Sequence, residues 1–420
     1  MPQCRRVACQ FSPPFRLAPW ALSLYERLRV LLTVIFGSLA VLSLVLLLWQ
    51  WIVALRFPLH QRIAPSPAAG VTLLKPFKGA DACTEECLAS WFNQTYSGPV
   101  QILFAVADSA DSACEVVRKL ISRYPAVDAQ LVVCGPLMGT NAKVSKLVQL
   151  ESLAKHDLLV ISDADVRVPP DLLANILSPF RTHNSQLATH NSPSSPLTSV
   201  GLVNCFYSLA NPCTPAMHWE AIAINADFWS QVLQAQSLRP LDFALGAVMA
   251  TTRRHLNEIG GFPAIVNCLA DDYQLGHRIA RAGHRIVLST VPVECFSMPM
   301  NWSAVWKHQM RWARTIRVSQ PLPYFFSILS NPVLWPVLWL ALAPTLLSLT
   351  FAAAALLIRI LMAETLQTRV TRKSHWHYAW LVPIKDLLQV AIWAGAFMGN
   401  TIEWRGQKMK LLPNGDLAKS

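Results

Sequence analysis

The chain has 420 residues, of which 53% are apolar and only 14% are charged, whereas soluble domains usually carry roughly 25% charged residues. This deficit argues against intrinsic disorder and against a wholly soluble protein. Lys and Arg number 36 and Asp and Glu number 24, so the net charge is +12. A basic surplus suits nucleic acid, anionic lipid or a phosphate-bearing substrate. The uncharged runs favour lipid, and no basic–aromatic stripe predicts nucleic-acid binding.

The first apolar run, residues 30–55, contains no charged residue and follows an N-terminal segment, residues 1–29. It is long enough to span roughly 30 Å of hydrocarbon. A cleaved signal peptide is not expected, because the run is too long and no small-x-small cleavage site follows it. We therefore predict a transmembrane helix at 30–55.

Two further apolar runs lie near the other end of the sequence. The run at 318–358 is uncharged, too long for one ordinary span and interrupted by five prolines. Prolines free backbone groups that protein or the interface must satisfy, so we expect an interfacial or re-entrant segment at 318–334 and a transmembrane helix at 335–358. A third predicted span, 377–402, precedes a basic tail, 403–420, which is typical of a cytoplasmic flank.

Lys385 and Asp386 interrupt the third apolar run. Ionisable residues at membrane depth are costly, and they indicate function or pairing. Alternatively, the two residues lie at the membrane interface, where the helix begins. The sequence leaves both interpretations open.

Between residues 70 and 180, short apolar runs alternate with helical patterns. Four such runs occur, at 71–74, 100–107, 130–134 and 158–162. This alternation predicts a doubly wound, mostly parallel α/β sheet in a domain that covers 70–317. Ligands of such sheets bind outside the carboxyl ends of the strands, so the residues directly after each run are candidates for function. The absence of GxGxxG and Walker A sequences disfavours dinucleotide and P-loop chemistry.

Two aspartates, Asp163 and Asp165, directly follow the fourth run. Residues i and i+2 of an extended chain project to the same side, so the two carboxylates form a hard, doubly negative oxygen site. Such a site suits Mg²⁺ or Mn²⁺ and, through the metal, a diphosphate. The metal would offset the charge that develops on the leaving group when a sugar–phosphate bond breaks.

Three more aspartates lie at predicted element boundaries. Asp108 follows the second run, where it either accepts hydrogen bonds from a base or ribose or caps the next helix. Asp271 and Asp272 precede a helical pattern at 274–282. One carboxylate is enough to cap that helix, which leaves the other for proton transfer. We predict that Asp272 is the general base that takes a proton from an acceptor hydroxyl.

Basic and aromatic residues form a second group of candidates. Lys143 follows the third run and either contacts phosphate or base or is a solvated lysine at a helix start. Arg311 and Trp312 lie in the sequence HQMRWAR, just before the second apolar run. Arg can hold a phosphate with its planar fork, and Trp can stack on a sugar or base. Both residues are also common in interfacial anchor helices.

Taken together, these residues resemble the GT-A inverting glycosyltransferases of family 2 and, among them, the ceramide glucosyltransferases of family 21. The matching order is a strand-end aspartate, a DxD pair, a later carboxylate in a DD sequence and an RW pair beside the membrane. Four segments extend the resemblance: LLKPFKG (73–79), Asp108 with Asp111, NAKV (141–144) and WRG (404–406). The resemblance covers roughly residues 25–412.

The resemblance implies a GT-A fold, a UDP-sugar donor, a divalent metal (Mg²⁺ or Mn²⁺) and a membrane-lipid acceptor. By this resemblance, Asp108 would bind the uridine, and Asp163 with Asp165 would bind the metal and the diphosphate. Asp272 would take the proton of the acceptor. Arg311 and Trp312 would lie at the rim of the site, next to the diphosphate and the acceptor. Lys143 and His190 are expected to help bind the nucleotide sugar, and Asp271 and Gln309 are expected on the acceptor side.

One departure from the family pattern bears on the acceptor. The family usually has Gln or Arg three residues before the RW pair, whereas this chain has His308 there and Gln309 one place later. The HQMRWAR sequence is closer to a bacterial hopanoid-associated branch, which glycosylates a polyol-bearing triterpenoid. The donor changes with the acceptor, from glucose for ceramide to N-acetylglucosamine for the hopanoid.

We therefore expect an integral protein of an inner or cell membrane, with a cytoplasmic catalytic domain, that moves a hexose from a UDP-sugar to a lipid hydroxyl with inversion. Transfer of glucose to ceramide is the first expectation, and transfer of N-acetylglucosamine to a hopanoid is the alternative. A processive polysaccharide synthase would need more spans to form a channel. A non-catalytic membrane scaffold that binds nucleotide or lipid is the alternative of another class, and the strand-end carboxylates argue against it.

Overall fold

The computed structural model describes residues 19–63, 68–189, 199–404, 407–412 and 415–419. His190, which is expected near the nucleotide sugar, lies outside the described residues, as do Arg405 and Gly406 of the WRG sequence. In chain order, the described part contains one long helix, α1 (Pro19–Arg56), then an α/β domain, a group of apolar helices and a small β-sheet.

An eight-stranded sheet forms the centre of the α/β domain. Its strands are β1 (Val71–Pro76), β2 (Val100–Val106), β3 (Asp128–Val133), β4 (Leu158–Ser162), β5 (Val166–Arg167), β6 (Val200–Leu209), β7 (Val248–Thr252) and β8 (Arg285–Cys295). They lie in the order β3-β2-β1-β4-β7-β6-β8-β5. Strands β1 to β4 pair in parallel, as do β6 and β8, while β7 and β5 are antiparallel to their neighbours. The predicted doubly wound, mostly parallel α/β fold is thus confirmed.

Helices cover both faces of this sheet. They are α2 (Thr84–Phe92), α3 (Ala113–Arg123), α4 (Ala142–Glu151), α5 (Leu172–Thr189), α6 (Pro215–Ile222), α7 (Trp229–Leu238), α8 (Arg253–Glu258) and α9 (Asp271–Arg281). A π-helical segment, Ala223–Phe228, joins α6 to α7, and a 3₁₀ turn, Phe262–Ile265, precedes α9. Strand residues alternate between the faces: Leu159 and Ile161 of β4 face one apolar core, and Val160 faces the other.

Five helices follow the α/β domain in the described part of the chain, and those after the first are mainly apolar. They are α10 (Trp302–Ser319), α11 (Pro321–Phe326), α12 (Leu334–Leu342), α13 (Leu346–Thr371) and α14 (Leu381–Ala396), with 3₁₀ turns at Ser327–Ser330 and Trp376–Tyr378. Of the described helices, two are long and apolar enough to cross a membrane, namely Glu26–Arg56 within α1 and the whole of α13. Pro321–Ser330 and α12, which are bent by 52° at their junction, form a broken span or a re-entrant loop.

The helix bounds differ from the segments expected from the sequence. The span expected at 335–358 is divided between α12 and α13, because Pro344 cannot donate the backbone hydrogen bond that a continuous helix needs. Helix α13 continues beyond the uncharged run to Thr371 and carries Arg359. Within the run expected to span at 377–402, α14 occupies only Leu381–Ala396.

A buried ion cluster joins the apolar helices to the α/β domain. Arg359 of α13 donates to both carboxylate oxygens of Asp386 (2.7 and 2.9 Å) and to Asp227 of the π-helical segment (3.0 Å). Lys385 donates to Asp227 and lies 3.4 Å from Asp386. All four side chains are buried. Of the two interpretations of Lys385 and Asp386, the structure therefore supports pairing.

A three-stranded antiparallel sheet forms within residues 401–419, where the sequence predicts the end of the third span and a basic tail. Its strands are β9 (Thr401–Trp404), β10 (Gln407–Leu411) and β11 (Leu417–Lys419). On one side, the backbone N–H of Leu417 donates to Asn267 (2.9 Å), in the loop before α9. On the other side, Glu403 pairs with Lys307 of α10 (2.9 Å), and Arg314 donates to the backbone of Thr401. This C-terminal sheet therefore connects α10 with the loop that leads to α9.

Candidate active site

The carboxyl ends of β1, β2 and β4 lie at one edge of the sheet because these strands are parallel neighbours. Lys75, near the end of β1, is fully buried. Its Nζ donates hydrogen bonds to Oγ of Ser162 (3.1 Å) and to the backbone oxygen of Asp163 (2.6 Å). Burial lowers the pKa of Lys75 to about 8, against the opposing effect of Asp163. Lys75 thus fixes the chain where β4 ends and the DxD pair begins.

Lys143 connects the two acidic segments of the sequence. Asn141 caps α4, because its Oδ1 accepts a hydrogen bond from the backbone N–H of Lys143 (2.9 Å) while its Nδ2 donates to Cys268 (2.8 Å). Nζ of Lys143 lies 2.8 Å from Oδ1 of Asp163 and 3.0 Å from Oδ2 of Asp271. Burial lowers the pKa of Lys143, but Asp163 and Asp271 outweigh this effect and hold the pKa well above its ordinary value. One lysine thereby joins the DxD pair to the start of α9.

Asp272 lies beside this ion pair in the first turn of α9. Its Oδ1 accepts a hydrogen bond from the backbone N–H of Tyr273 (2.7 Å). Burial first, and then the charge of Asp271, raise the pKa of Asp272 to about 6. Gly246 leaves room for this carboxylate, since a Cβ there would lie 2.7 Å from Oδ2 of Asp272. A carboxylate with a pKa near neutrality is suited to general-base chemistry.

Asp163 and Asp165 are the residues that could hold a divalent cation. Asp165 is exposed, and partial desolvation together with the charge of Asp163 raises its pKa to about 6, as expected for two neighbouring carboxylates. Mg²⁺ is typically bound by one or two carboxylates together with waters and substrate phosphates. In the described part of the chain, no cluster of three or more His, Cys, Asp or Glu residues could hold a metal ion. The two carboxylates of the DxD pair fit the Mg²⁺ ligands just described, and water and a diphosphate would supply the remaining ones.

Asp108 follows β2 at the same edge of the sheet and is exposed. Its Oδ1 accepts a hydrogen bond from the backbone N–H of Ala110 (2.9 Å), which closes a local turn. Asp111, rather than Asp108, accepts from the backbone N–H of Ala113 at the start of α3 (3.0 Å) and from that of Gly79 (2.9 Å). Asp111 thus ties the loop after β1 to the loop after β2, and Asp108 does not cap α3.

Helix α10 packs against α6 and α14, and the hydroxyl of Tyr273, the residue after Asp272, donates to the backbone oxygen of Ser319 at the end of α10 (3.0 Å). Oε1 of Glu220, on α6, accepts hydrogen bonds from Nδ1 of His308 (2.6 Å) and Nε2 of Gln309 (2.9 Å). The Trp312 ring lies 4.7 Å from the His308 ring and 6.0 Å from that of Phe228. Arg311 lies next to Trp312 on the same helix. Gln309, predicted on the acceptor side, is therefore held by a buried carboxylate.

Two residues of this region were missed by the sequence analysis. Glu220 is the single acidic residue of α6, a mainly apolar helix, and this pattern could have indicated a buried partner. Tyr207, on β6, packs its ring 5.4 Å from Phe228. Burial first, and then Cys295 and Asp272, hold the pKa of the Tyr207 phenol well above its usual range. Tyr207 carried no sequence signal, because it lies within an ordinary apolar strand.

The structure brings some of the predicted site residues into contact and leaves others apart. Direct ion pairs join Lys143, Asp163 and Asp271. The charges of these three groups also shift the pKa of Asp272, and those of Asp163 and Lys143 shift the pKa of Asp165. Gln309, Arg311 and Trp312 lie on α10, where Gln309 and Trp312 contact Glu220 and Phe228 rather than the aspartates. Asp108 lies at the same edge of the sheet but forms only its local turn among the contacts described above.

Comparison with known proteins identifies the family. The sequence profile of "Glycosyl transferase family 21" matches residues 34–417. The chain is 23% identical over 277 residues to ceramide glucosyltransferase 3 of Caenorhabditis elegans, a match that covers 65% of this chain and 56% of that protein. It is 36% identical over 117 residues to the ceramide glucosyltransferase of Candida albicans, which covers 25% and 22% respectively. These matches span little more than half of the first relative and less than a quarter of the second.

Solved structures of glycosyltransferases are also similar. A mannosyltransferase from Pyrobaculum calidifontis in complex with GDP-Man and Mn²⁺ is 20% identical, with a TM-score of 0.48, and the match covers 85% of this chain and 99% of that one. A glucosyl-3-phosphoglycerate synthase from Mycobacterium tuberculosis, in complex with Mn²⁺, UDP and phosphoglyceric acid, is 14% identical with a TM-score of 0.33, covering 57% and 78%. The family match over residues 34–417 confirms the resemblance found in the sequence, and the chain belongs to glycosyl transferase family 21.

Proposed function

We propose that the protein is a membrane-anchored inverting glycosyltransferase that moves a hexose from a UDP-sugar to a hydroxyl group of a membrane lipid. The observation that carries this proposal is the double ion pair of Lys143 with Asp163 and Asp271, which gathers the DxD pair and the Asp271-Asp272 pair into one acidic site. Transfer of glucose to ceramide is the favoured reaction, since the curated relatives described above are ceramide glucosyltransferases.

In the proposed reaction, the UDP-sugar lies at the carboxyl edge of the sheet and Asp108 holds the uridine. Asp163 and Asp165 would hold a divalent ion, which when bound supplies positive charge to offset the diphosphate leaving group. Lys143 keeps Asp163 and Asp271 at fixed positions and compensates their charge. Arg311, on the neighbouring helix, would face the diphosphate.

Asp272 is proposed as the general base. Its carboxylate accepts the proton of the lipid hydroxyl while that oxygen bonds to the anomeric carbon from the face opposite UDP. The bond between the anomeric carbon and the diphosphate oxygen breaks, UDP leaves with the electron pair, and an α-linked donor gives a β-linked glycolipid. Because UDP-sugars are cytosolic, the α/β domain would face the cytoplasm.

The lipid is proposed to reach the site between the α/β domain and the C-terminal apolar helices. Helix α10 lies at this junction: Val305 and Ala313 share an apolar cluster with Ala216 and Trp219 of α6 and with Ile392 of α14. Trp312, on α10, also contacts the π-helical segment that precedes α7.

The hopanoid alternative is favoured by a specific contact. His308 takes the place of the family's Gln or Arg and pairs with Glu220, so the polar surface of α10 differs from the pattern usual among ceramide enzymes. Mass spectrometry of lipids from cells that express the chain, in sphingolipid and hopanoid backgrounds, distinguishes these acceptors. Parallel assays with UDP-glucose and UDP-N-acetylglucosamine distinguish the donors.

Sugar transfer into lipid extracts tests the proposal directly. Asp272→Asn should abolish transfer of radiolabelled sugar while binding of the UDP-sugar survives. Asp157→Asn is the matched control, because Asp157 is an exposed aspartate at the opposite end of β4, and it should retain full transfer. Chelation of divalent ions should stop transfer, and added Mg²⁺ or Mn²⁺ should restore it. Ordinary turnover by Asp272→Asn would show that the assigned base is wrong.

A further inference from the structure

Glu220 is one of the most deeply buried carboxylates of the described chain, with an exposed fraction of 1%. Its Oε1 accepts both hydrogen bonds from α10, at 2.6 Å from His308 and 2.9 Å from Gln309. Its Oε2 is also buried and has no hydrogen-bond partner in the described residues. A buried oxygen without a partner is costly, so this arrangement does not optimise stability. Such a cost is often retained at functional sites.

The two donors restrain α10 in a particular way. Consecutive residues of an α-helix point in directions about 100° apart, whereas residues i and i+4 share a face. Anchoring His308 and Gln309 to one carboxylate therefore restrains the helix against rotation about its axis. Trp312 lies one turn after His308 on the same face, so its direction is set by the same anchor.

The ring of Trp312 lies between α10 and the π-helical segment, so its contacts depend on the rotation of α10. It packs 6.0 Å from Phe228 and 4.7 Å from His308. With Tyr207 and Met300, it also borders the apolar cluster formed by α6 and its surroundings, which includes Met217 and Ala221. A rotation of α10 would move this ring away from Phe228 and Tyr207.

We propose that Glu220 is a positioning residue for the glycosyl transfer: by holding His308 and Gln309, it fixes the rotation of α10 and thereby places Trp312 on the acceptor side of the site. This inference rests on the proposed function, because it assigns α10 to recognition of the lipid acceptor. It predicts that loss of the anchor weakens use of the acceptor and leaves donor binding intact, since the donor is held at the sheet edge.

The test compares kinetic constants of two variants of the full-length protein in membranes. Glu220→Leu removes both hydrogen bonds and should raise the KM for the lipid acceptor by roughly 10- to 100-fold, as expected for a misplaced contact, while the KM for the UDP-sugar stays within about twofold. Glu220→Gln keeps an oxygen that can accept both hydrogen bonds and should restore near wild-type constants. Glu258→Leu is the matched control, because it removes another Glu–His pair, with His284 at 2.6 Å, and should change neither constant.

Each outcome decides for or against the anchor. If Glu220→Leu raises both KM values equally, or if Glu220→Gln does not restore the acceptor KM, the positioning role is overturned. If the Glu220→Leu protein does not accumulate in membranes, Gln309→Leu provides a second test, because it removes one of the two donors to Glu220. This variant should also raise the KM for the lipid acceptor. An unchanged acceptor KM overturns the inference. Failure of the wild-type protein to transfer sugar to any lipid would instead contradict the proposed function.

Discussion

Replacing Asp227 with Asn should destabilise the protein strongly, because it unbalances the buried ion cluster. The cluster is neutral as it stands, with Arg359 and Lys385 facing Asp227 and Asp386. The substitution keeps the size of the side chain but leaves two buried cations with one carboxylate. The resulting net charge of +1 cannot be solvated by water where all four side chains are buried.

The size of the effect follows from the geometry. At 3.0 Å between Nη2 of Arg359 and Oδ2 of Asp227, the gross attraction is about 5 to 6 kcal/mol at an effective dielectric constant of about 20. Part of this is offset because Asn can still accept a hydrogen bond. Removing one partner of a buried pair typically costs about 3–5 kcal/mol, and we expect a loss of this size in the free energy of unfolding. The neutral double variant Asp227→Asn/Lys385→Met should cost about 1–3 kcal/mol less than the sum of the single variants.

Denaturant-induced unfolding in detergent micelles measures these differences. Asp128→Asn is the matched control, because Asp128 pairs with Lys155 at 2.6 Å on the exposed surface, and exposed pairs contribute little. The unfolding curve of Asp128→Asn should overlay that of the wild type. The reasoning is refuted if the Asp227 and Asp128 variants lose the same free energy, or if the double variant is as unstable as the sum of its parts.

Three further predictions concern the acidic site. Asp272 faces Asp271, Lys143 and Asp163, and its pKa is raised to about 6. Because Asp272 must be ionised to accept a proton, the kcat/KM for sugar transfer should fall about tenfold per pH unit below that pKa. A kcat/KM that does not change with pH in this range would contradict the assignment. Lys143→Met removes a charge that lowers the pKa of Asp272, so the same pH profile should shift to higher pH; an unmoved profile would argue against this coupling. Gly246→Ala places a Cβ 2.7 Å from Oδ2 of Asp272, so it should lower kcat at least about tenfold while the protein stays folded. Gly135→Ala is the control, because the atom nearest to its added Cβ lies 3.6 Å away, and its kcat should equal that of the wild type.

Much of the fold was predictable because, in the α/β domain, short apolar runs mark the strands and the segments between them show helical patterns. Strand β4 has the predicted bounds, 158–162, since its residues are apolar on both faces and it is followed directly by the polar DxD pair. The other early strands differ from the prediction by one or two residues at their ends. The helix predicted at 274–282 is present but begins at Asp271, because acidic residues favour the first turn of a helix.

Contacts between distant segments were not predictable from local pattern. The sequence left pairing of Lys385 and Asp386 as one of two interpretations, and it did not indicate the partners, Asp227 and Arg359, which lie 158 and 27 residues away. Glu220 likewise acquires its role only through His308, which is 88 residues away on another helix. A single sequence carries no information on which helices pack together, so these pairings required the structure.

The C-terminal sheet has a consequence for how the site assembles. The loop before α9 and the helix that carries Trp312 are joined through β9–β11, by contacts such as that between Leu417 and Asn267 and that between Glu403 and Lys307. During synthesis, a nascent chain that has not reached residue 401 lacks this connection, although the whole α/β domain has emerged. Contacts between residues so far apart in the sequence also slow folding, because closing a long loop costs entropy. The loop before α9 and helix α10 would thus be joined only after residues 401–419 have been synthesised.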